Sequence, residues 1–297
     1  MAFAISSSRC GMKAISSDIA RVAHGFPTTD VPCPACGDDN HEPKVVRNGF
    51  QVVHCRGCGS LYVRERPEEG ALRGIYEQFP QLSGGREGQV DDDPEDGLWE
   101  ADYRLRRLLE FCGSGRLLDL GCGRGYFLVR ASGHFDVQGV DIMPRLRPEA
   151  LGLPVFRGRL EEAAFPDDSF DVVTAVEVFE HLFDPRRTVR EIHRITKPRG
   201  ILLSQTGDAD SLRAQLNPES WTYIQPPVHL NIFSRAGLGK LLVSSGFEPV
   251  KCWSFGRAPN RIPVIATAWK SGALRPILDW AARSRLLGQM CIWRKLA

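Results

Sequence analysis

The chain has 297 residues, 42% of them hydrophobic and 25% charged, which is the composition of an ordinary globular protein. Its formal net charge of +2 argues against bulk electrostatic capture of nucleic acid, so nucleic acid is not an expected partner. No stretch of the sequence approaches the roughly 18 consecutive apolar residues of a membrane-spanning helix.

The first 30 residues are rich in serine and alanine and lack the continuous apolar run that a secretory signal peptide needs. We therefore expect residues 1–30 to form a flexible tail. A transit peptide is the alternative, because three basic residues outnumber the single acidic residue before Asp30.

Residues 31–66 carry two Cys-x-x-Cys motifs, each followed by glycine. Their cysteines are Cys33, Cys36, Cys55 and Cys58. Glycine lets the backbone turn beneath a metal ion, and four thiolates complete a tetrahedral zinc site with no position left for water. The spacing therefore predicts a zinc ribbon with a structural zinc ion, in which Asn48 and Gly49 form a hairpin turn. His41 and His54 lie between the motifs but are not needed as ligands.

The chain contains nine cysteines, an odd number, of which this ribbon uses four. An odd count fits reduced thiols and bound metal better than a disulfide framework. Because reduced thiols persist inside the cell, we expect a cytoplasmic location.

Residues 67–97 form a linker with a short helical pattern at residues 68–79. Residues 87–102 contain eight acidic and no basic side chains, which is typical of a solvated surface. Leucines at helical spacing predict a further helix at residues 98–112, packed beside the sheet that follows.

Residues 116–141 predict a strand, a glycine-rich turn, a helix and a second strand that ends on Asp141. Asp141 lies twenty residues after Gly121, where a carboxylate can accept hydrogen bonds from a ribose. A dinucleotide site would place a third glycine where this chain has Tyr126, so no diphosphate is expected. The pattern favours an adenosine whose 5′ substituent is uncharged or cationic.

Strand and helix patterns alternate beyond this point. Strands are predicted at residues 155–157, 170–178, 201–204 and 247–255, and helices at residues 188–196 and after the capping residue Ser234. Alternation of this kind predicts a mainly parallel sheet with its ligand at the carboxyl ends of the strands.

These motifs resemble those of the class I S-adenosylmethionine-dependent methyltransferases, of type 11 and type 23. The likeness runs from the glycine turn through residues 165–171, 177–185 and 191–200, and covers about residues 98–255. It implies an α/β fold of the three-layer Rossmann-like kind, with a mainly parallel seven-stranded sheet. It also implies S-adenosylmethionine as the cofactor.

The resemblance also assigns cofactor-binding positions. They are Asp119, Gly121, Gly123, Gly125, Asp141, Leu160, Glu161 and Glu177, with Tyr76 contributed by a cofactor cap within residues 67–97. One position departs from the family pattern, because Arg159 stands where an acid commonly reads the adenine amino group. We therefore expect the backbone amides near Leu160, or the side chain of Glu161, to recognise adenine.

Two histidines are candidate catalytic residues: His181, after the fourth strand, and His229, in the aromatic and proline-rich segment 221–234. Methyl transfer depends mainly on alignment, and a general base adds roughly 10²–10⁴ in rate when the acceptor is a hydroxyl. We favour His229, because its segment approaches the acceptor directly. The spacing of Glu177, Glu180 and His181 also resembles a divalent-ion site of some quinone-precursor O-methyltransferases, which makes Mg²⁺ a disfavoured alternative.

The last segment, residues 256–297, is basic, with eight bases and one acid from residue 257 onward. Its apolar residues at helical spacing are Ile277, Leu278, Ala281, Leu287 and Cys291. We predict a basic helical appendage that docks on the main domain. Peripheral contact of this helix with an anionic membrane surface is the alternative.

The order of ribbon, methyltransferase region and aromatic segment resembles enzymes of natural-product and surface-polysaccharide pathways. It implies methyl transfer to an oxygen of a small molecule or glycan. A zinc-ribbon RNA base methyltransferase is the alternative, although the Asn-Pro-Pro-aromatic tetrad of such enzymes is missing after the fourth strand. A cofactor-binding or scaffold protein with a degenerate fold is the non-enzyme alternative, and the intact glycine turn argues against it.

Overall fold

The computed structural model describes residues 25–78, 94–146, 150, 152–221, 223–255 and 288–297. The described residues form thirteen strands and six α-helices. The strands are β1 (Thr28–Asp30), β2 (His41–Arg47), β3 (Phe50–Cys55), β4 (Leu61–Val63), β5 (Glu65–Pro67), β6 (Arg116–Leu120), β7 (Asp136–Asp141), β8 (Val155–Arg157), β9 (Phe170–Val176), β10 (Thr196–Gly207), β11 (Asn231–Ile232), β12 (Phe247–Phe255) and β13 (Gly288–Lys295). The helices are α1 (Glu69–Gln78), α2 (Pro94–Leu109), α3 (Tyr126–Ala131), α4 (Pro185–Ile195), α5 (Leu212–Leu216) and α6 (Arg235–Val243). None of the described helices has the length and hydropathy needed to cross a bilayer.

Seven strands form the central sheet, in the order β12-β13-β10-β9-β6-β7-β8. Neighbouring strands from β10 to β8 run parallel, whereas β13 runs antiparallel to both β10 and β12. The predicted mainly parallel, seven-stranded sheet is therefore confirmed. Its carboxyl edge, where β6, β7, β9 and β10 end, carries the candidate site.

Helices cover both faces of this sheet. Successive side chains of a strand point to opposite faces, so a strand that is apolar throughout has to be covered on both sides. In β6, Leu117 packs in one apolar cluster with α2 and α3, and Leu118 packs in another with α4 and α6. Both leucines are fully buried. The three-layer arrangement expected from the sequence is confirmed.

The cysteine-containing region forms a second sheet, in the order β11-β4-β3-β2. Asn48 and Gly49 both have positive φ angles, of 50° and 80°, and turn the chain between β2 and β3 as the Asn-Gly pair predicts. The edge strand β11 belongs to the aromatic segment 221–234, and its residue Asn231 lies opposite Tyr62 of β4. The ribbon and that segment therefore share one sheet.

An apolar cluster joins the ribbon to the same segment. It contains Phe50, Val52, Leu61 and Val63 of the ribbon, Leu72 of α1, and Trp221, Ile224, Val228, Leu230 and Ile232 of the segment, with others. At the tip of the ribbon hairpin, Asn48 Nδ2 donates a hydrogen bond to Pro226 O at 2.7 Å. Burial of these side chains stabilises the contact by removing apolar area from water.

Strand β1 corrects one expectation about the N-terminal tail. Residues 1–24 lie outside the described part of the chain, but Thr28–Asp30 pairs antiparallel with Glu65–Pro67. The side chains add to the pairing, since Thr28 Oγ1 donates to Glu65 Oε1 at 2.8 Å. The end of the predicted tail is therefore a strand that closes the ribbon.

Strand β13 corrects a second expectation, because residues 288–297 were predicted as part of a basic helical appendage. Gly288–Lys295 instead lies between β10 and β12, so the central sheet continues past residue 255. The remainder of the predicted helix falls in residues 256–287, which lie outside the described residues.

The reason is visible in the side chains of β13. Met290 and Ile292 pack on one face of the sheet, and Cys291 and Trp293 pack on the other. This period of two is that of a strand buried on both faces. Trp293 Nε1 also donates to Ser204 Oγ of β10 at 2.9 Å, which satisfies the indole N–H in the core.

The expectation of reduced thiols is wrong for one pair, because Cys252 of β12 and Cys291 of β13 form a disulfide. The two residues lie opposite each other in the register of the antiparallel pair, which brings their Cα atoms to 4.1 Å. The other described cysteines are free, including the four of the ribbon.

Candidate active site

The glycine turn after β6 forms one wall of the site. Gly121, Gly123 and Gly125 have positive φ angles of 72°, 51° and 79°. A Cβ at Gly121 would lie 2.5 Å from Val178 Cγ2, and one at Gly125 would lie 2.5 Å from Ala150 Cβ, so glycine is required at both positions. At Gly123 the nearest atom would be 3.9 Å away, which leaves room for a ligand against the backbone.

Asp141 ends β7 directly above this turn, as predicted. Its Oδ2 accepts a hydrogen bond from the backbone N–H of Gly123 at 2.8 Å, and its Oδ1 accepts one from Met143 at 2.7 Å. These bonds hold the carboxylate in place, and each oxygen has a second lone pair for a hydroxyl. The arrangement fits the diol of a ribose.

Asp119 and Glu177 add carboxyl groups near the same edge. Asp119 is buried and accepts a hydrogen bond from Thr174 Oγ1 at 2.6 Å. Burial raises the pKa of Asp119 to about 7, although the Thr174 hydrogen bond opposes the change. Glu177 follows β9 with a φ of 54°, a conformation that is rare outside glycine and is often found at functional sites. A set of acids here suits a cationic cofactor.

Glu177 is held by a chain of polar contacts that the sequence did not reveal. Gln205 Nε2 donates to Glu177 Oε1 at 3.0 Å, and Gln205 Oε1 accepts from Arg104 Nε at 3.0 Å. Arg104 in turn donates to Glu100 Oε2 at 2.7 Å. Helix α2 is therefore connected to the residue at the end of β9.

The departure at Arg159 has a structural explanation. Arg159 Nη1 donates to Glu69 Oε1 of α1 at 2.7 Å, and Arg187 of α4 pairs with the same carboxylate. Arg159 thus attaches α1, in the predicted cofactor cap, to the loop after β8. Arg159 therefore contacts the predicted cap, and this position has no acid to bind an adenine amino group.

The predicted adenine-side residues lie in a 3₁₀ turn, Leu160–Glu162. Leu160 is buried, and Glu161 Oε1 accepts a hydrogen bond from Thr188 Oγ1 at 2.9 Å. Because the Glu161 carboxylate already has this partner, the backbone near Leu160 is the better placed of the two predicted contacts. Tyr76 lies in α1, and its side chain lies outside the part that the structure describes.

The two candidate histidines come together from separate segments, with ring centroids 4.7 Å apart. His181 Nδ1 lies 3.1 Å from Val228 O, and His229 Nδ1 lies 2.6 Å from Tyr223 O. A carbonyl oxygen only accepts hydrogen bonds, so in each neutral ring Nδ1 carries the proton and Nε2 has the lone pair. Both rings therefore have the tautomer in which Nε2 can take up a proton.

The surroundings of the two rings differ. Desolvation by the surrounding protein lowers the pKa of His181 to about 4, so this imidazole is neutral over the physiological range. The ring of His229 packs against that of Tyr223, with centroids 4.6 Å apart. The two histidines are thus close in space, and His181 has little tendency to take up a proton at neutral pH.

Glu180 lies fully buried beside them and accepts hydrogen bonds from Tyr223 Oη at 2.5 Å and Thr206 Oγ1 at 3.0 Å. Burial, and after it the charge of Glu177, raises the pKa of Glu180 well above its usual range. The hydroxyl of Tyr223 also accepts a hydrogen bond from Gly207 N at 2.7 Å, which fixes the aromatic segment to the end of β10.

The structure changes which residues could hold Mg²⁺ in the disfavoured alternative. Ligand atoms of Glu180, His181 and His229 lie within 4.8 Å of one another, whereas the side chain of Glu177 is bonded to Gln205. The group with suitable spacing therefore contains His229 in place of Glu177. Magnesium at this position stays a disfavoured alternative.

The ribbon cysteines form a compact cluster, with all four sulfur atoms within 4.8 Å of one another. Cys33 and Cys58 lie 3.5 Å apart, as do Cys36 and Cys55. These separations are close to the edge of about 3.8 Å expected for a tetrahedron with Zn–S bonds of about 2.3 Å. The donor set and its geometry fit a structural zinc ion.

Both cysteine turns are bonded to helices of the main domain. Arg186 of α4 donates to Ala35 O at 3.1 Å, and Lys240 of α6 donates to Gly57 O at 2.7 Å. Ser234, the residue that caps α6, donates its hydroxyl hydrogen bond to Cys58 O. The ribbon therefore contacts the rest of the protein through its cysteine turns as well as through its hairpin tip.

Several residues of the site were missed in the sequence. They are Arg104, Gln205 and Thr206. A signal existed for two of them, because polar residues at the end of an apolar strand indicate a functional edge, and Gln205 and Thr206 follow Ile201–Ser204 directly. Arg104 carries no such signal, since arginine is normally exposed.

A family model for the methyltransferase domain matches residues 98–251. A probable S-adenosylmethionine-dependent methyltransferase of Mycolicibacterium smegmatis is 32% identical over 164 residues, which are 51% of this chain and 62% of that protein. A ubiquinone biosynthesis O-methyltransferase of Cereibacter sphaeroides is 36% identical over 118 residues, which are 36% of this chain and 47% of that protein. The chain thus spans less than two thirds of the length of these relatives.

Two solved structures support the fold. A methyltransferase of Haloferax volcanii in complex with the Trm112 methyltransferase activator has a TM-score of 0.54 at 19% identity, and covers 74% of this chain and 97% of its own. The cyclase SpnF has a TM-score of 0.52 at 21% identity, and covers 78% of this chain and 97% of its own. At these identities the likeness shows the fold alone. The family match, which covers more than half of the residues, shows that the chain belongs to the methyltransferase domain family, whose members here include S-adenosylmethionine-dependent enzymes.

Proposed function

We propose that the protein transfers a methyl group from S-adenosylmethionine to an oxygen atom of a small molecule or glycan. The observation that carries the proposal is the meeting of His181 and His229, 4.7 Å apart, at the sheet edge that also bears Asp141 and Glu177. When bound, S-adenosylmethionine supplies an electrophilic methyl group on a sulfonium. The protein then has to hold the acceptor in line and take up its proton.

The cofactor is assigned to the glycine turn and its acids. Gly121, Gly123 and Gly125 let the chain pass close to the ligand, and Asp141 accepts hydrogen bonds from the ribose hydroxyls. Asp119, Glu177, Leu160, Glu161 and Tyr76 are the further proposed contacts. A structural zinc ion is assigned to the four ribbon cysteines.

His229 is the proposed general base. Its Nδ1–H is held by Tyr223 O, so Nε2 is the atom that accepts a proton from a hydroxyl. His181 is the less suitable base, because its pKa of about 4 gives it little tendency to take a proton at neutral pH. Oxygen as the acceptor is supported by the relative from Cereibacter sphaeroides, whose name is that of an O-methyltransferase.

The substrate class can be tested with labelled S-adenosylmethionine. The full chain is incubated with pooled metabolites, lipid-linked glycans or RNA in parallel, and the species that gain a methyl group are identified by mass spectrometry. Methylation of a hydroxyl in the first two pools is expected. Label confined to RNA bases would contradict the proposal, and no product in any pool would favour the binding-protein alternative.

The base can be tested with His229→Ala. This variant should keep its affinity for S-adenosylhomocysteine and lose roughly 10²–10⁴ in turnover, together with the acid limb of the pH–rate profile. His134→Ala, at an exposed position, is the control and should behave as wild type. A His229→Ala enzyme that changes only the apparent substrate constant would show that His229 holds the acceptor without acting as a base.

A further inference from the structure

Arg66 is the last residue of the ribbon and lies in β5, and its side chain is fully buried. Its guanidinium donates hydrogen bonds to four oxygens, all of them neutral, and no ion pair among the described residues includes it. Desolvation lowers its pKa to about 9. A buried charge without a carboxylate partner is costly, so its presence calls for a role.

The contacts of Arg66 lie next to the two catalytic candidates. Nη1 donates to Phe183 O at 3.3 Å, two residues after His181, and Nη2 donates to Leu230 O at 3.4 Å, one residue after His229. A single planar group therefore joins the two segments that carry the histidines. The fork of N–H groups suits this task, because its donors have fixed directions.

Asn231 extends the same connection. Its Oδ1 accepts from Arg66 Nη1 at 3.2 Å, and its Nδ2 donates to Phe179 O at 3.2 Å and Leu182 O at 2.7 Å. The carbonyls of Phe179 and Leu182 lie on either side of His181 in the chain. The turn that bears His181 is thus held from both ends by one arginine–asparagine pair.

We propose that Arg66 is a positioning residue that sets the separation and orientation of His181 and His229, so that a strand of the zinc ribbon helps to build the acceptor side of the site. The kinetic part of this inference rests on the proposed role of His229. The structural part does not, because it concerns where the two rings lie. A lysine in place of Arg66 has three N–H donors on one nitrogen, so it cannot replace the four hydrogen bonds that the three guanidinium nitrogens make.

The test compares Arg66→Lys with Arg64→Lys in the zinc-loaded full chain. Arg64 lies two residues earlier, and its recorded partners are His41, Asp30 and Asp39, none of which belongs to the histidine segments. Histidine side chains are labelled with ¹³C, and the resonances of His181 and His229 are assigned with single variants. Zinc content and S-adenosylhomocysteine affinity are measured on the same samples.

In Arg66→Lys the resonances of His181 and His229 should both shift, while zinc content and cofactor affinity stay as in wild type. In Arg64→Lys both resonances should stay in place. Once an acceptor is known, the turnover of Arg66→Lys should fall roughly 10²-fold. Its apparent Michaelis constant for S-adenosylmethionine should not change. Unshifted histidine resonances in Arg66→Lys would overturn the proposal whether or not an acceptor is known.

Should Arg66→Lys fail to fold, Asn231→Asp gives an independent test. The aspartate keeps an acceptor for Arg66 but lacks the N–H donors that bind Phe179 O and Leu182 O. The resonance of His181 should then shift more than that of His229. An unchanged His181 signal in a folded Asn231→Asp protein would also overturn the proposal, because the turn would not depend on the pair.

Discussion

In the proposed cofactor half of the site, Gly123 and Asp141 are 18 residues apart in the chain, whereas in the proposed acceptor half Arg66 reaches Leu230 across 164 residues. The centre of the first half is one strand, the glycine turn, one helix and the next strand. The second half needs the ribbon, the turn after β9 and the aromatic segment 221–234 to meet. Its geometry therefore depends on contacts between distant parts of the chain.

Under the proposed function, this difference separates cofactor binding from acceptor binding. The cofactor half depends on local backbone geometry, which is the same for any acceptor. The acceptor half is shaped by a ribbon that is joined to the aromatic segment through β4 and β11. Changes in the ribbon can therefore alter the acceptor side while the glycine turn stays as it is.

Loss of the proposed zinc ion should have the largest effect, because it should disrupt the acceptor half and leave the cofactor half in place. Cys58→Ser should lower the metal content from close to one zinc per chain and unfold the ribbon, because a structural zinc contributes roughly 10–16 kcal/mol in small peptide modules. Binding of S-adenosylhomocysteine should persist, since the glycine turn lies in the other half. Metal analysis, thermal unfolding and calorimetry measure these effects.

The control for the zinc experiment is Cys112→Ser, which changes a free cysteine outside the ribbon. It should keep both metal and stability. A metal-free Cys58→Ser protein with the thermal stability of wild type would contradict the structural role of the ion.

Acid should weaken the acceptor half through His181. Its pKa is about 4 in the folded protein and about 6.5 in an unfolded chain, so protonation favours unfolding. The stability that the neutral ring contributes is therefore full above pH 6.5 and is lost as the pH falls toward 4, by up to about 3 kcal/mol. Urea unfolding of wild type and His181→Asn at several pH values should show this slope in wild type only.

The exposed residue His134 provides the comparison for that experiment. His134→Asn should unfold with the same pH dependence as wild type. If His181→Asn keeps the full acid slope, another group is responsible for it.

Asp141→Ala should act on the cofactor half alone. It removes a charged acceptor of hydrogen bonds, so the affinity for S-adenosylmethionine and S-adenosylhomocysteine should fall together, by about 1.5–3 kcal/mol. Calorimetry measures both ligands, and the histidine resonances of the acceptor half should not move. Asp136→Ala, at the exposed start of the same strand, is the matched control, and equal affinities in the two variants would remove Asp141 from the site.

Arg159→Ala should have the smallest effect. The Arg159–Glu69 pair is partly exposed, with side-chain exposures of 38% and 28%, and pairs of this kind contribute about 1 kcal/mol or less. S-adenosylhomocysteine affinity should fall less than about tenfold, with the difference shrinking at high salt. A larger, salt-independent loss would show that Arg159 contacts the cofactor itself.

The parts of the site that follow from local sequence were predictable. The glycine turn, the strand end at Asp141 and the helix cap at Ser234 depend on neighbours within about twenty residues, so residue type and spacing carry the information. The four cysteines were predictable for a related reason, because metal ligation restricts their spacing.

The parts that depend on distant partners were not predictable. Arg159 could not be explained until Glu69, 90 residues earlier, was placed beside it. Cys291 was assigned to a helix face, although it lies in a strand opposite Cys252. A short apolar run is compatible with a helix or with a strand, and pairing with distant strands decides between the two. Two partners of Arg66, Phe183 and Leu230, lie 117 and 164 residues away, so its sequence neighbours give no indication of its role.

Strand β13 enters the sheet between β10 and β12, both of which precede it in the chain. Until it does so, those strands present rows of unpaired N–H and C=O groups, which are templates for pairing with another molecule. Pairing between distant strands is slow to form, and open edges promote association during that time. The gap can be filled by the same strand of a second copy, so high protein concentration during folding favours strand exchange and dilution favours the monomeric sheet.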